Sequence, residues 1–262
     1  MIFKVFGDLH GNTPSIKDNF DAIISPGDFS ATFSREYKFK AMRDSKRLNK
    51  KVNWKSYLNK EEVKKILEKE KFSMYKVLNY LNSFNKPVYF VPGNYEPRPN
   101  KLNKIIKDFP NLINCHLKLI KLNELNIIGY GYNTHPEIPQ NKKDKMIYSN
   151  VLEQDKIEYK KNKKILFSLF KKSNKPTTLI THNPPFKTPL DIVLWQGSPR
   201  YNEHLGSVLT RELIETFNPI VCCSGHMHEH HSSYKLNNTL CINPGEKDCL
   251  LKINGNHAQA NI

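Results

Sequence analysis

The chain has 262 residues, 38% hydrophobic and 25% charged, with a formal net charge of +16. That length suits one large domain with a substantial core. No apolar run approaches the roughly 20 residues a membrane-spanning helix needs, and the five cysteines form no CxxC pair, which excludes a zinc ribbon and a disulfide frame. The chain enters its first strand without a basic-then-apolar leader, so a cytoplasmic protein with reduced thiols and no membrane contact is expected.

Residues 2–6 (Ile-Phe-Lys-Val-Phe) read as a buried strand that runs into Gly7-Asp8-Leu9-His10-Gly11-Asn12. An Asp and a His two apart share one side of an extended chain and can face one ion, and the flanking glycines permit a tight turn. A short helix is expected near 13–20, with Pro14 in its first turn. A second strand at 22–25 ends in Pro26-Gly27-Asp28. Residues 35–60 read as a helix plus an irregular loop. From 61 to 84 the spacing of Val63, Ile66, Leu67, Met74, Val77, Leu78 and Leu81 predicts an amphipathic helix packed on a sheet. Pro87 stops it, and a third strand at 88–91 ends in Pro92-Gly93-Asn94-Tyr95-Glu96.

Residues 117–122 and 125–130 read as adjacent strands turning near Asn123-Glu124. The stretch 133–150, with Pro136 and Pro139, reads as loop, and 151–172 as a basic amphipathic helix. A strand at 177–181 leads into His182-Asn183-Pro184-Pro185. After a long loop holding Trp195, Arg200, Tyr201 and His204, Ser207 is placed to cap a helix that runs to about 217. A strand at 219–224, in which Cys222 and Cys223 are core residues, runs into Gly225-His226-Met227-His228. His230 and His231 extend the histidines toward the rim. Strands near 239–243 and 249–253 flank Asn243-Pro244-Gly245.

Residues 35–76 carry a net +9 and residues 142–175 a net +7, so the two stretches hold the whole net charge. Read as insertions, they present solvated helix faces or a basic rim for a polyanion such as nucleic acid. No stacking or base-reading pattern of aromatics and arginines accompanies them.

Taken singly, an Asp, Asn or His after a strand is an ordinary turn residue. Here several apolar strands each end in such residues: Asp8 and His10, Asp28, Asn94, His182, then His226 and His228. In order and spacing these turns resemble the calcineurin-like metallophosphoesterase superfamily. Its pattern runs D-x-H, G-D, G-N-H-D/E, a single H, then G-H-x-H, and the resemblance covers residues 2 to about 253. It implies a mixed α/β chain folded as a four-layer αββα sandwich of two mixed sheets. A single domain over residues 1–262 is expected, with the basic stretches around 35–76 and 142–175 as insertions.

Carried over position by position, the resemblance implies two divalent ions. Asp8, His10, Asp28 and His228 would hold the first; Asp28, Asn94, His182 and His226 would hold the second, with Asp28 bridging. Mixed nitrogen and oxygen donors suit Mn, Fe, Zn or Ni. The implied activity is hydrolysis of a phosphomonoester or phosphodiester by a two-metal-activated hydroxide, with Asp28, Asn94 and Tyr95 in the catalytic roles. A small phosphoester is the expected substrate. A nuclease served by the basic stretches and a non-catalytic scaffold on the same fold are the alternatives.

Tyr95 breaks the pattern, because most members of the superfamily carry His there. A phenol is neutral at pH 7 and a poor acid, though it can donate a hydrogen bond. His135, His204 or a metal-bound water would stand in as acid, and Arg200 would contact a phosphate bidentately; otherwise the three residues read as ordinary exposed loop residues.

Overall fold

A computed structural model describes residues 1–140, 152–198 and 200–262. Two six-stranded sheets face each other, and helices cover both outer faces. The first sheet contains β1 (Ile2–Phe6), β2 (Ala22–Ser25), β3 (Val88–Phe90) and β4 (Leu112–Asn114), all parallel. It is extended on the β1 side by antiparallel β11 (Asp248–Asn254) and β12 (His257–Asn261). The second sheet runs β5 (Leu119–Lys121), β6 (Asn126–Tyr130), β7 (Thr177–Thr181), β8 (Val221–Cys223), β10 (Thr239–Asn243) and β9 (Ser232–Leu236). Its centre is parallel and its two edges antiparallel.

Alternation along each strand builds the layers. Phe3, Val5, Ile24 and Tyr89 from one sheet meet Ile127, Ile180, Cys223 and Ile242 from the other, forming the inter-sheet core. The residues between them point outward: Phe6, Ile23, Val88 and Phe90 pack under α2 (Lys60–Asn82), and Ile128, Leu179 and Cys222 pack under α4 (Leu152–Lys172) and α5 (Val208–Phe217). Central strands buried on both faces require the near-continuous apolar runs that the sequence shows. All five cysteines are free and buried. Among the described residues, no helix is long and apolar enough to cross a membrane.

Several expectations change. No helix forms over 13–20. That segment is pinned in irregular form by Tyr80, whose hydroxyl donates to the Pro14 carbonyl, by Lys86 donating to the Phe20 carbonyl, and by Asp18 pairing with buried Lys4. With Ile16 and Phe20 its only large apolar residues after Pro14, it has no continuous stripe to bury as a helix. α2 begins with the Asn59–Glu62 capping box, but only its second half (Met74, Val77, Leu78, Leu81) is buried; Leu67 lies exposed. α3 (Pro99–Ile105) and strands β4, β9 and β12 were not anticipated from the sequence. The expected loop at 133–150 and helix start at 151 fall partly outside the described residues.

The basic stretch 35–76 forms α1 (Arg35–Leu48), a 3₁₀ turn at Trp54–Tyr57, and most of α2. Glu70 of α2 accepts hydrogen bonds from the Ser34 backbone (2.9 Å) and hydroxyl (2.6 Å), which fixes where α1 starts.

Candidate metal centre

Strands β1, β2 and β3 of one sheet and β7 and β8 of the other end at a common edge, as open α/β sheets place their sites. The turns after these strands bring all seven expected ligand positions together. Asp8, His10, Asp28 and His228 offer donor atoms that lie within 4.8 Å of one another. Next to them, the Asn94 side-chain oxygen sits 2.9 Å from His182 Nε2 and 3.1 Å from His226 Nδ1. Asp28 lies between the two groups, its Oδ2 3.8 Å from His10 Nε2 and 3.7 Å from His182 Nε2.

The backbone is bent to achieve this. His10, Asp28 and His226 hold left-handed conformations, with φ of 42°, 54° and 64°. Such geometry costs a non-glycine residue about 1–3 kcal/mol and persists only where surrounding structure enforces it. At Asp28 the enforcing group is Glu96, whose buried carboxylate accepts the backbone N–H groups of Asp28 (2.9 Å), Phe29 (2.7 Å) and Gly93 (2.6 Å). Gly93 and Gly225 have no room for a side chain: a Cβ at either would collide with the carboxylate of Asp28 or Asp8, respectively.

Three of the four histidines are tethered through one ring nitrogen, which leaves the other aimed inward. His10 Nδ1 donates to the Ser30 carbonyl and His182 Nδ1 to the Pro26 carbonyl, both at 2.9 Å. His226 bonds the Thr134 backbone, and His228 Nδ1 faces Glu246 at 3.1 Å. Burial lowers the pKa of His10 and His182 and takes that of His226 down to about 3, so all three are neutral at pH 7. Burial also pulls on His228, but its hydrogen bond to Asp8 overrides this and raises it.

The carboxylates differ. Burial works against ionisation of Asp8, yet the His228 bond and the surrounding histidines win and hold it at about 2. Burial, with Glu96 and Asp8 nearby, pushes Asp28 well above the usual carboxylate range. A cation beside Asp28 reverses that balance.

The donor set fits a divalent cation. Asp8 Oδ1 is buried and accepts no hydrogen bond among the described residues. His10 Nε2 and His228 Nε2 point at each other 2.9 Å apart, with His10 Nδ1 already bonded to the Ser30 carbonyl. Neutral imidazole nitrogens mixed with carboxylate and amide oxygens suit first-row transition metals.

Tyr95 sits over this edge. Its backbone N–H donates to Asp28 Oδ1 at 2.9 Å, and its ring meets His10 edge-on at 5.5 Å. Burial, then the Asp28 charge, raises the phenol pKa still further, which keeps the hydroxyl protonated.

A cavity of about 520 Å³ opens onto Asp28, Asn94, His226 and His228. His135 lines it, 3.4 Å from Asp155. His204 is committed elsewhere, with Nδ1 2.6 Å from the buried Asp191 carboxylate, which also accepts the backbone N–H groups of Lys187, Thr188 and Gly206. Arg200 pairs with Glu203 at 2.5 Å while lining the cavity. His230 is buried off the rim and donates to the Ile192 carbonyl. The basic stretch is not simply a solvated face: Arg35, Lys38, Phe39 and Met42 of α1 form part of the cavity wall. Sequence reasoning assigned no role to Glu96, Asp191 or Glu246; only Glu96 carried a signal, as the last residue of the Gly-Asn-x-Glu turn.

A relative from Methanocaldococcus jannaschii, the uncharacterized protein MJ1162, is 30% identical over 165 residues, which is 61% of this chain and 64% of that protein. The match thus spans less than two thirds of the relative's length. One solved structure superposes with a TM-score of 0.65 at 15% identity, covering 99% of this chain and 98% of the other. The crystal structure of TT1561 of Thermus thermophilus gives 0.55 at 14% identity, covering 99% and 97%; both share the fold. The family model described as calcineurin-like phosphoesterase matches residues 1–230, a span that contains all seven clustered positions. The chain belongs to the calcineurin-like phosphoesterase family, whose chemistry is metal-dependent hydrolysis of phosphoesters.

Proposed function

We propose that the protein is a dinuclear metal-dependent phosphoesterase. In this reading Asp8, His10, Asp28 and His228 hold one ion, and Asp28, Asn94, His182 and His226 hold the other. The observation that carries it is the position of Asp28 Oδ2, nearly equidistant from His10 Nε2 and His182 Nε2, with a separate donor group on each side. When bound, two ions supply Lewis acidity toward the phosphoryl oxygens and activate a water for in-line attack.

The chain's own contribution is pre-organisation. Glu96 fixes the Asp28 turn, the tethered histidines keep one ring nitrogen free, and the Asn94 amide presents its oxygen toward both His182 and His226. Tyr95 stays protonated, so its hydroxyl orients or stabilises a phosphoryl oxygen as a hydrogen-bond donor and does not ionise as an acid.

The test is metal analysis of the purified protein, followed by assay of bis(p-nitrophenyl) phosphate and p-nitrophenyl phosphate with Mn. Two ions per chain and hydrolysis lost in Asp28→Ala are expected. Metal-loaded protein with no turnover above that variant would favour the scaffold reading and overturn this one.

A further inference from the structure

Arg35, Lys38, Phe39 and Met42 recur on α1 at i, i+3, i+4 and i+7, so one face of the helix turns into the cavity. That face is graded. Lys38 carries its ammonium 3.9 Å from the centre of the Tyr95 ring, at the metal end. It feels the charges of Glu70 and Asp28 but makes no ion pair among the described residues. A partly buried ammonium without a paired carboxylate is costly unless an anion is supplied from outside.

Farther along the helix the wall becomes aromatic. The Phe39 ring lies 5.5 Å from that of Trp195, which enters from the loop across the cavity. Met42 and Trp195 are 50% and 49% exposed, so apolar surface lies open directly beside a charged centre. The loop is not free to fold away. Buried Asp191 gathers its backbone, His230 holds the Ile192 carbonyl at 2.8 Å, and Glu229 accepts the Leu194 N–H at 3.0 Å. The cavity of about 520 Å³ is of small-molecule size.

We propose that this cavity selects small phosphoesters bearing a flat aromatic group, with Lys38 against the phosphoryl oxygens and Phe39 and Trp195 stacking the ring. The inference rests on the phosphoesterase reading and names its substrate class. Phenyl- and methylphosphonate, titrated into manganese-loaded protein by calorimetry, test it without the difference in leaving-group reactivity. Phenylphosphonate is expected to bind about tenfold more tightly. Phe39→Ala/Trp195→Ala erases that difference, and Trp195→Phe, which keeps a ring, preserves it. Lys38→Gln weakens both ligands about tenfold and leaves their ratio unchanged. Equal affinities, a preference that survives the double variant, or no phenylphosphonate binding by active protein would overturn the inference and leave the chemistry standing. Manganese-loaded protein that neither binds a phosphonate nor hydrolyses bis(p-nitrophenyl) phosphate overturns the underlying reading as well.

Discussion

At and beneath the cavity floor Asp8, Asp28 and His182 are buried, strained or tethered, and bonded to groups distant in sequence; on the wall Met42 and Trp195 are half exposed. The floor gives up conformational comfort to hold donors in one geometry. The wall is assembled from α1 and the loop that carries Trp195. In the proposed reading, reaction type belongs to the floor, where the family pattern lies, and discrimination between substrates to the wall, which α1 of the basic stretch helps to build.

Four substitutions probe that division. Glu96→Ala on the floor removes the acceptor of three buried N–H groups, at a cost of about 3 kcal/mol or more. Thermal unfolding should fall by roughly 6–12 °C, with metal content falling in parallel; an unchanged transition would show that the Asp28 turn holds itself. Tyr95→His, between floor and wall, introduces a group that titrates near neutral pH. Turnover of esters with poor leaving groups should rise by up to about 10²-fold, and an equal or lower rate argues that the phenol is already the better donor. Glu246→Gln loosens His228 from outside the donor set and should weaken metal retention about tenfold in chelator competition. Trp195→Ala, on the wall, should shift stability by less than about 0.5 kcal/mol; a large loss on unfolding would place it in the structural frame after all.

The same division governed what could be read in advance. The donor turns were legible because closely approaching backbones demand glycine and the chemistry demands Asp, Asn and His, so both constraints appear as letters. The central strands were legible because burial on both faces leaves no polar residues to confuse them. Strands β9 (Ser-Ser-Tyr-Lys-Leu) and β12 (His-Ala-Gln-Ala-Asn) lie at sheet edges with one face in solvent, and their composition resembles loop. The 13–20 segment failed for a different reason: its conformation is set by Tyr80, Lys86 and Lys4, residues that local periodicity cannot consult. Glu246 and Asp191 act through contacts made only after folding. The cavity-facing stripe of α1 has helical spacing, but spacing alone does not say which side meets the site.

The bond from the His226 backbone N–H to Asp8 Oδ2, 2.8 Å long, joins residues 218 apart in sequence, and the same separation divides His10 from His228. No nascent fragment that stops before His226 contains both halves of this candidate donor set. During synthesis Asp8 and His10 emerge first and wait for almost the whole chain before their partners exist. Under the proposed function a cation would therefore meet an already folded geometry, and the extended chain would have little chance to trap the tightest-binding metal by affinity alone.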